Sequence, residues 1–271
     1  MTGSNVAWSE GWLWLSSSLL IAVLWANLVW FFRQPRSGMV GEFVAPLASW
    51  HFSPWLLQFL RLLYYLGLPF AALLWGHDVL VGLLLGLQRF NLPISDGSAG
   101  DVDIAANWLD WAYDVGWTVA LGIGAGVLLA LGWWAYRRAL TAVVEGDAVT
   151  GAESSGWVFL REAAYHEVHW AFYRNAPIIA TGMYWGSWIG LALVALEATL
   201  NPAWRNRMAD PQRSLEQLMR AALAVVSSIF FPLTQNLWLA IALHWGVSWG
   251  LARLAGTLAL GISSQRQSQH N

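Results

Sequence analysis

Apolar residues fill six long runs, at 8–32, 54–75, 113–136, 178–200, 214–231 and 237–260, and polar and charged positions collect between them. A helix rises about 1.5 Å per residue and needs about 20 apolar residues to cross the hydrocarbon of a bilayer, so each run reads as a transmembrane helix. Residues 157–176 (WVFLREAAYHEVHWAFYRNA) have the same length and a different character: Arg161, Glu162, His166, Glu167, His169 and Arg174 interrupt the apolar background. Hydropathy alone lays this segment along the membrane surface as an amphipathic helix, a reading its Trp and Phe content suits.

The distribution of arginine favours the other reading. No Arg precedes the first run, Glu10 stands at its start, and Arg33 and Arg36 follow it. That is not the pattern of a cleavable signal peptide, and it predicts an N-terminus outside. The loop at 33–53 is then inside, the loop at 76–112 with Asp78, Asp96, Asp101 and Asp103 is outside, and Arg137 and Arg138 begin another inside loop. If 157–176 lies flat, the loop at 201–213 with Arg205, Arg207 and Arg213 faces outside, against the positive-inside rule. If it crosses, every Arg-bearing loop except the one with Arg89 is inside. The expected fold is therefore all-α: a polytopic transmembrane bundle of about seven spans, one integral membrane domain over 1–271, with a polar helix buried in the bundle. Residues 77–89 are too short to span and read as re-entrant or interfacial, while 91–103 and 142–156 read as turn-rich loops. Pro69 and Pro232 are expected to kink or end helices. No internal repeat points to an inverted-repeat transporter.

Composition agrees and narrows the chemistry. Hydrophobic residues make up 57% of the chain and charged ones 11%, a balance foreign to soluble domains. A net charge of −2 leaves no basic surplus for nucleic acid. There is no cysteine, which removes disulfides, thiolate ligands and thiol nucleophiles. Of the 21 tryptophans, Trp12, Trp30, Trp55, Trp75, Trp133, Trp157 and Trp238 stand near the ends of apolar runs, where an interfacial belt is expected.

The candidate chemistry lies in the polar segment. On a helical wheel Glu162, His166, His169 and Tyr173 fall within about 60° of one another, and Glu167 and Arg174 share a second face. Glu162, His166 and His169 have the i, i+4, i+7 spacing by which one helix offers an oxygen and two imidazoles to a divalent metal, with His244 as a further ligand. Counted from the outer span ends, Glu167 and His169 lie roughly 10 to 14 Å deep and His244 about 12 Å deep, so these three are expected to meet. Glu197 by the same count lies near the inner face, away from them. Asp110 and Asp114 read as helix-start or interfacial carboxylates, and Arg61 as a snorkelling side chain or a counter-ion.

At these residues the chain resembles the CPBP family of glutamate-type intramembrane proteases, which includes the CAAX-processing enzymes. Asn236 to Trp249 (NLWLAIALHWGVSW) is similar to the family's last motif, with His in an H-x-x-x-N pattern, and His166-Glu167 followed by Phe172-Tyr173-Arg174 is similar to its E-E-x-x-x-R motif. The sequence departs from that pattern: His166 replaces the first Glu, Arg174 follows Glu167 by seven residues rather than four, Ser248 replaces the final Asn, and no His lies between His169 and His244. The resemblance implies a catalytic set of Glu167 as general base, His244 as oxyanion or water-positioning group, Arg174 as orienting cation and His169 in place of the missing histidine. It also implies a membrane-embedded or prenylated peptide as substrate, a bacterial inner membrane as location, and no cofactor for the glutamate mechanism. The alternative is a non-catalytic scaffold or subunit of a larger membrane complex, its partners being the lipid bilayer and other membrane subunits; a metal or ion pathway ranks third.

Overall fold

The computed structural model describes residues 3–34, 42, 46, 50–75, 101–143 and 155–270, and among them every regular element is helical. In chain order these are α1 (Gly3–Arg33), α2 (Ser53–Leu62), a π-helical turn (Leu63–Gly67), α3 (Leu68–Trp75), α4 (Asp101–Val143), α5 (Gly156–Thr181), α6 (Met183–Leu200), α7 (Pro202–Ala209), α8 (Pro211–Thr234) and α9 (Leu237–His270). Five stretches are long and apolar enough to cross a membrane: Glu10–Arg33, Ser53–Trp75, Trp108–Leu140, Met183–Leu200 and Pro211–Thr234. Neither α5 nor α9 is among them. The segment 77–89 and most of the loops expected at 91–103 and 142–156 lie outside the described residues.

Two sequence boundaries shift. Pro177 lies between the expected segments 157–176 and 178–200, yet α5 runs through it to Thr181. Proline removes one donor and crowds the preceding turn, and here it does not end the helix. Gly182 does: its φ of +82° is a backbone state that side-chain-bearing residues rarely adopt, and its N–H bonds the Ile178 carbonyl at 2.9 Å. The other shift is at 201–213, where the expected loop contains α7. Asn201 caps it, its side-chain oxygen accepting from Ala203 N at 2.9 Å, with Pro202 in the first turn where no N–H is needed.

The chain parts into two compact units. One comprises Met1–Leu85 and Val168–Gln217, the other Gly86–Glu167 and Leu218–Asn271, so α5 and α8 each contribute to both. In the first unit α1 packs on α6 and α7, and Ala72, Phe172 and Tyr173 form a buried cluster against Trp14, Leu68, Leu193 and Val194. The α5–α6 contact is close because α6 presents glycine. A Cβ on Gly186 would lie 2.3 Å from Ile178 Cα, and one on Gly190 would lie 2.9 Å from Arg174 Cα. Each pair sits symmetrically about Gly182, four and eight residues to either side, as an antiparallel helical hairpin with a one-residue turn requires. In the second unit α9 packs along α4. A matching hairpin joins α8 to α9 through Gln235, at φ +48°, and Asn236, whose side chain accepts from Leu239 N at 3.3 Å.

Candidate functional site

Glu167 is 1% exposed, and an ionised carboxylate so buried is tolerable only with polar partners. The α8–α9 hairpin supplies them. Ser227 Oγ donates to Glu167 Oε2 at 2.5 Å, and His244 Nδ1 lies 2.9 Å from Oε1. Ser227 precedes the Gln235 turn by eight residues and His244 follows it by nine, so the antiparallel arms carry both to one level. His166, the residue before Glu167, stacks its ring on that of His244 at 5.7 Å with 7° between planes. Four side chains from three helices thus converge, all but Ser227 among the residues singled out by sequence. The Glu167 to His244 hydrogen bond joins a carboxylate to an imidazole, and the serine holds the second carboxylate oxygen.

The remaining predicted residues go elsewhere. His169 binds Glu197 in the first unit, Nε2 to Oε2, at 2.8 Å. This corrects the placement of Glu197 at another depth from His169. The depth count began α6 at 178; measured from Gly182, His169 is thirteen residues before the turn and Glu197 fifteen after, which puts them at one level. Around His169 stand the rings of Tyr64, Tyr65 and Tyr173, with centroids at 5.2, 5.1 and 4.2 Å. The π turn is what presents two consecutive tyrosines to one imidazole, since its wider coil narrows the angle between neighbouring side chains. Tyr64 OH accepts from Ser18 Oγ at 3.4 Å and lies 3.3 Å from Tyr173 OH.

Arg174, 2% exposed, lies in the first unit with its aliphatic stem against Gly190. Glu162 binds Arg161 at 3.1 Å near the start of α5, where both are partly exposed. Among the described residues no group of three or more His, Cys, Asp or Glu side chains is placed to hold a metal ion, so the proposed set of Glu162, His166, His169 and His244 does not assemble there. Its helical spacing is real, but Glu162 pairs with Arg161 and His169 with Glu197, which leaves only His166 and His244 side by side. Asp114 is 6% exposed and well inside α4, which begins at Asp101, so it is not a helix-start residue. Arg61 lies over the Tyr65 ring at 5.7 Å.

Sequence reasoning missed Ser227 and Tyr64 and set Glu197 at the wrong depth. A usable signal existed for Glu197: the small-residue pair Gly186 and Gly190 marks the face on which α6 meets α5, and Glu197 lies seven residues beyond Gly190 on that face. The chain matches no family model, no curated protein and no solved structure.

Proposed function

We propose that this chain is an integral membrane hydrolase of the glutamate-activated-water type, similar in mechanism to the CPBP proteases, with Glu167 as its general base. The observation that carries the reading is the Glu167 carboxylate, buried to 1% exposure and held by Ser227 and His244. The α5–α6 hairpin supports its placement in the membrane. If α6 crosses, an antiparallel partner joined to it by one residue crosses beside it, and α5 becomes a polar helix sheltered by apolar ones. With α9 as the last crossing, about seven spans result, the N-terminus lies outside, and a bacterial inner membrane accommodates the arrangement. Ionisable groups at such depth mark functional sites by default.

In this mechanism Glu167 takes a proton from water as the hydroxide oxygen bonds to the peptide carbonyl carbon. His244, stacked on His166, stabilises the oxyanion. The C–N bond then breaks, and Glu167 returns the proton to the leaving amine, so no cofactor is consumed. A prenylated or membrane-spanning peptide is the substrate class such a buried centre reaches. Glu167→Gln in proteoliposomes is expected to lower cleavage of a prenylated peptide by about 10²-fold or more while elution and melting profiles stay those of the parent. Unchanged turnover rejects the mechanism.

A second reading has its own observation. Both Glu167 oxygens already have partners within the protein, as in a polar clip that fixes three helices, and this favours a scaffold in a larger membrane complex. Recovery of a stoichiometric membrane partner in mild detergent, together with no hydrolysis by the parent protein, would select it.

A further inference from the structure

We propose that His169 and Glu197 form a second acid–base centre, separate from Glu167, which holds a neutral O–H donor, water or an alcohol, at His169 Nδ1. The pair is enclosed, with side-chain exposures of 4% for His169 and 19% for Glu197. A carboxylate only accepts, so the 2.8 Å contact places an imidazole proton on Nε2, and in the neutral ring Nδ1 is then the acceptor. That Nδ1 is buried and has no hydrogen-bond partner among the described residues. A buried acceptor without a donor is disfavoured, and a ligand hydroxyl satisfies it.

The surroundings select the ligand's charge. Glu197 disfavours an anion at this place. The Arg61 guanidinium, 5.7 Å over the Tyr65 ring, disfavours a cation, and the rings of Tyr64, Tyr65 and Tyr173 leave apolar walls. A small neutral molecule with one proton to donate is what remains. From α1 comes Ser18, from the π turn Tyr64 and Tyr65, from α5 Tyr173 and from α6 Glu197, and the Tyr64 and Tyr173 hydroxyls interact with that carboxylate as well.

The chemistry is general-base activation. The ligand O–H bond breaks, its proton passes to Nδ1, the electron pair stays on oxygen as hydroxide or alkoxide, and Glu197 balances the imidazolium. The carboxylate fixes tautomer and ring orientation, the part an acid residue plays behind a catalytic histidine. Glu197 is thus a positioning residue and His169 the base.

The test is nitrogen NMR on the full chain in nanodiscs with isotope-labelled histidine, the His169 signals being assigned by their loss in His169→Gln. The probe is solvent water. Expected at neutral pH are a ring protonated at Nε2 only and magnetisation transfer from water to His169. Glu197→Gln is expected to shift population toward the Nδ1–H tautomer, Glu197→Asp to preserve the parental state, and Glu167→Gln to change nothing at His169. A parental ring protonated at Nδ1, a ring protonated at both nitrogens, or no transfer from water overturns the proposal. Should Glu197→Gln fail to fold, the parental spectrum alone decides. Loss of the Glu167 hydrolase reading leaves these outcomes unaltered, because none of them depends on peptide cleavage.

Discussion

Ser227 and Ser228 are neighbours of one residue type, both buried, with opposite fates. Ser228 returns its hydroxyl to the Ala224 carbonyl one turn back at 2.9 Å, while Ser227, 100° round the helix, serves Glu167. Ser227→Ala is expected to leave a carboxylate oxygen buried without that donor, at a cost of about 1–3 kcal/mol, seen as a lower melting temperature in detergent. Ser228→Ala, which removes only a local back-bond, is expected to change it little. This pair explains what was legible at this scale. Glu167 and His244 stand out because carboxylates and imidazoles are rare in apolar runs. A serine there is ordinary, and nothing in the sequence marks which of two will turn toward an acid on another helix.

At the scale of elements, two helical hairpins set the geometry, and their turns are short enough to fix register. Gly186→Ala is expected to be poorly tolerated, since the added methyl meets the Ile178 backbone at 2.3 Å and the α5 and α6 axes must separate. Overpacking of this kind costs about 1–3 kcal/mol, and thermal unfolding measures it. Gly126→Ala on α4, where an added methyl has nothing within 4 Å, is the matched control and is expected to be neutral or stabilising by up to about 1 kcal/mol. The existence of the helices was readable from run length, because apolar length is what a bilayer selects. Their ends were not. Proline is a visible punctuation mark, but a helix that packs closely can continue through Pro177, and the position that stops it is a glycine among 25.

On the scale of the whole molecule, the exposed side chains are those of a protein dissolved in lipid. Trp55 is 75% exposed, Trp75 74%, Leu109 72% and Leu128 71%, a surface that water does not accommodate in such quantity. Five apolar stretches of spanning length were legible as hydropathy; whether α5 crosses with them is a question of topology, answered only by what stands next to it. Because the chain has no cysteine, single cysteines report it directly. Thr181→Cys and Gln235→Cys are expected to react with an impermeant maleimide added outside intact cells, while Ser155→Cys and Asn206→Cys stay protected until lysis. Equal labelling of Ser155→Cys and Thr181→Cys before lysis places α5 along the surface and removes its crossing. The single-residue turn at Gly182 also bears on biogenesis. A segment carrying Arg161, Glu162, Glu167 and Arg174 is too polar to leave the insertion machinery for lipid alone, and on the proposed topology it enters coupled to the apolar α6 as one pair. If α5 crosses as proposed, synthesis halted just after Gly182 is expected to strand it at the interface, and emergence of Met183–Leu200 to draw it across.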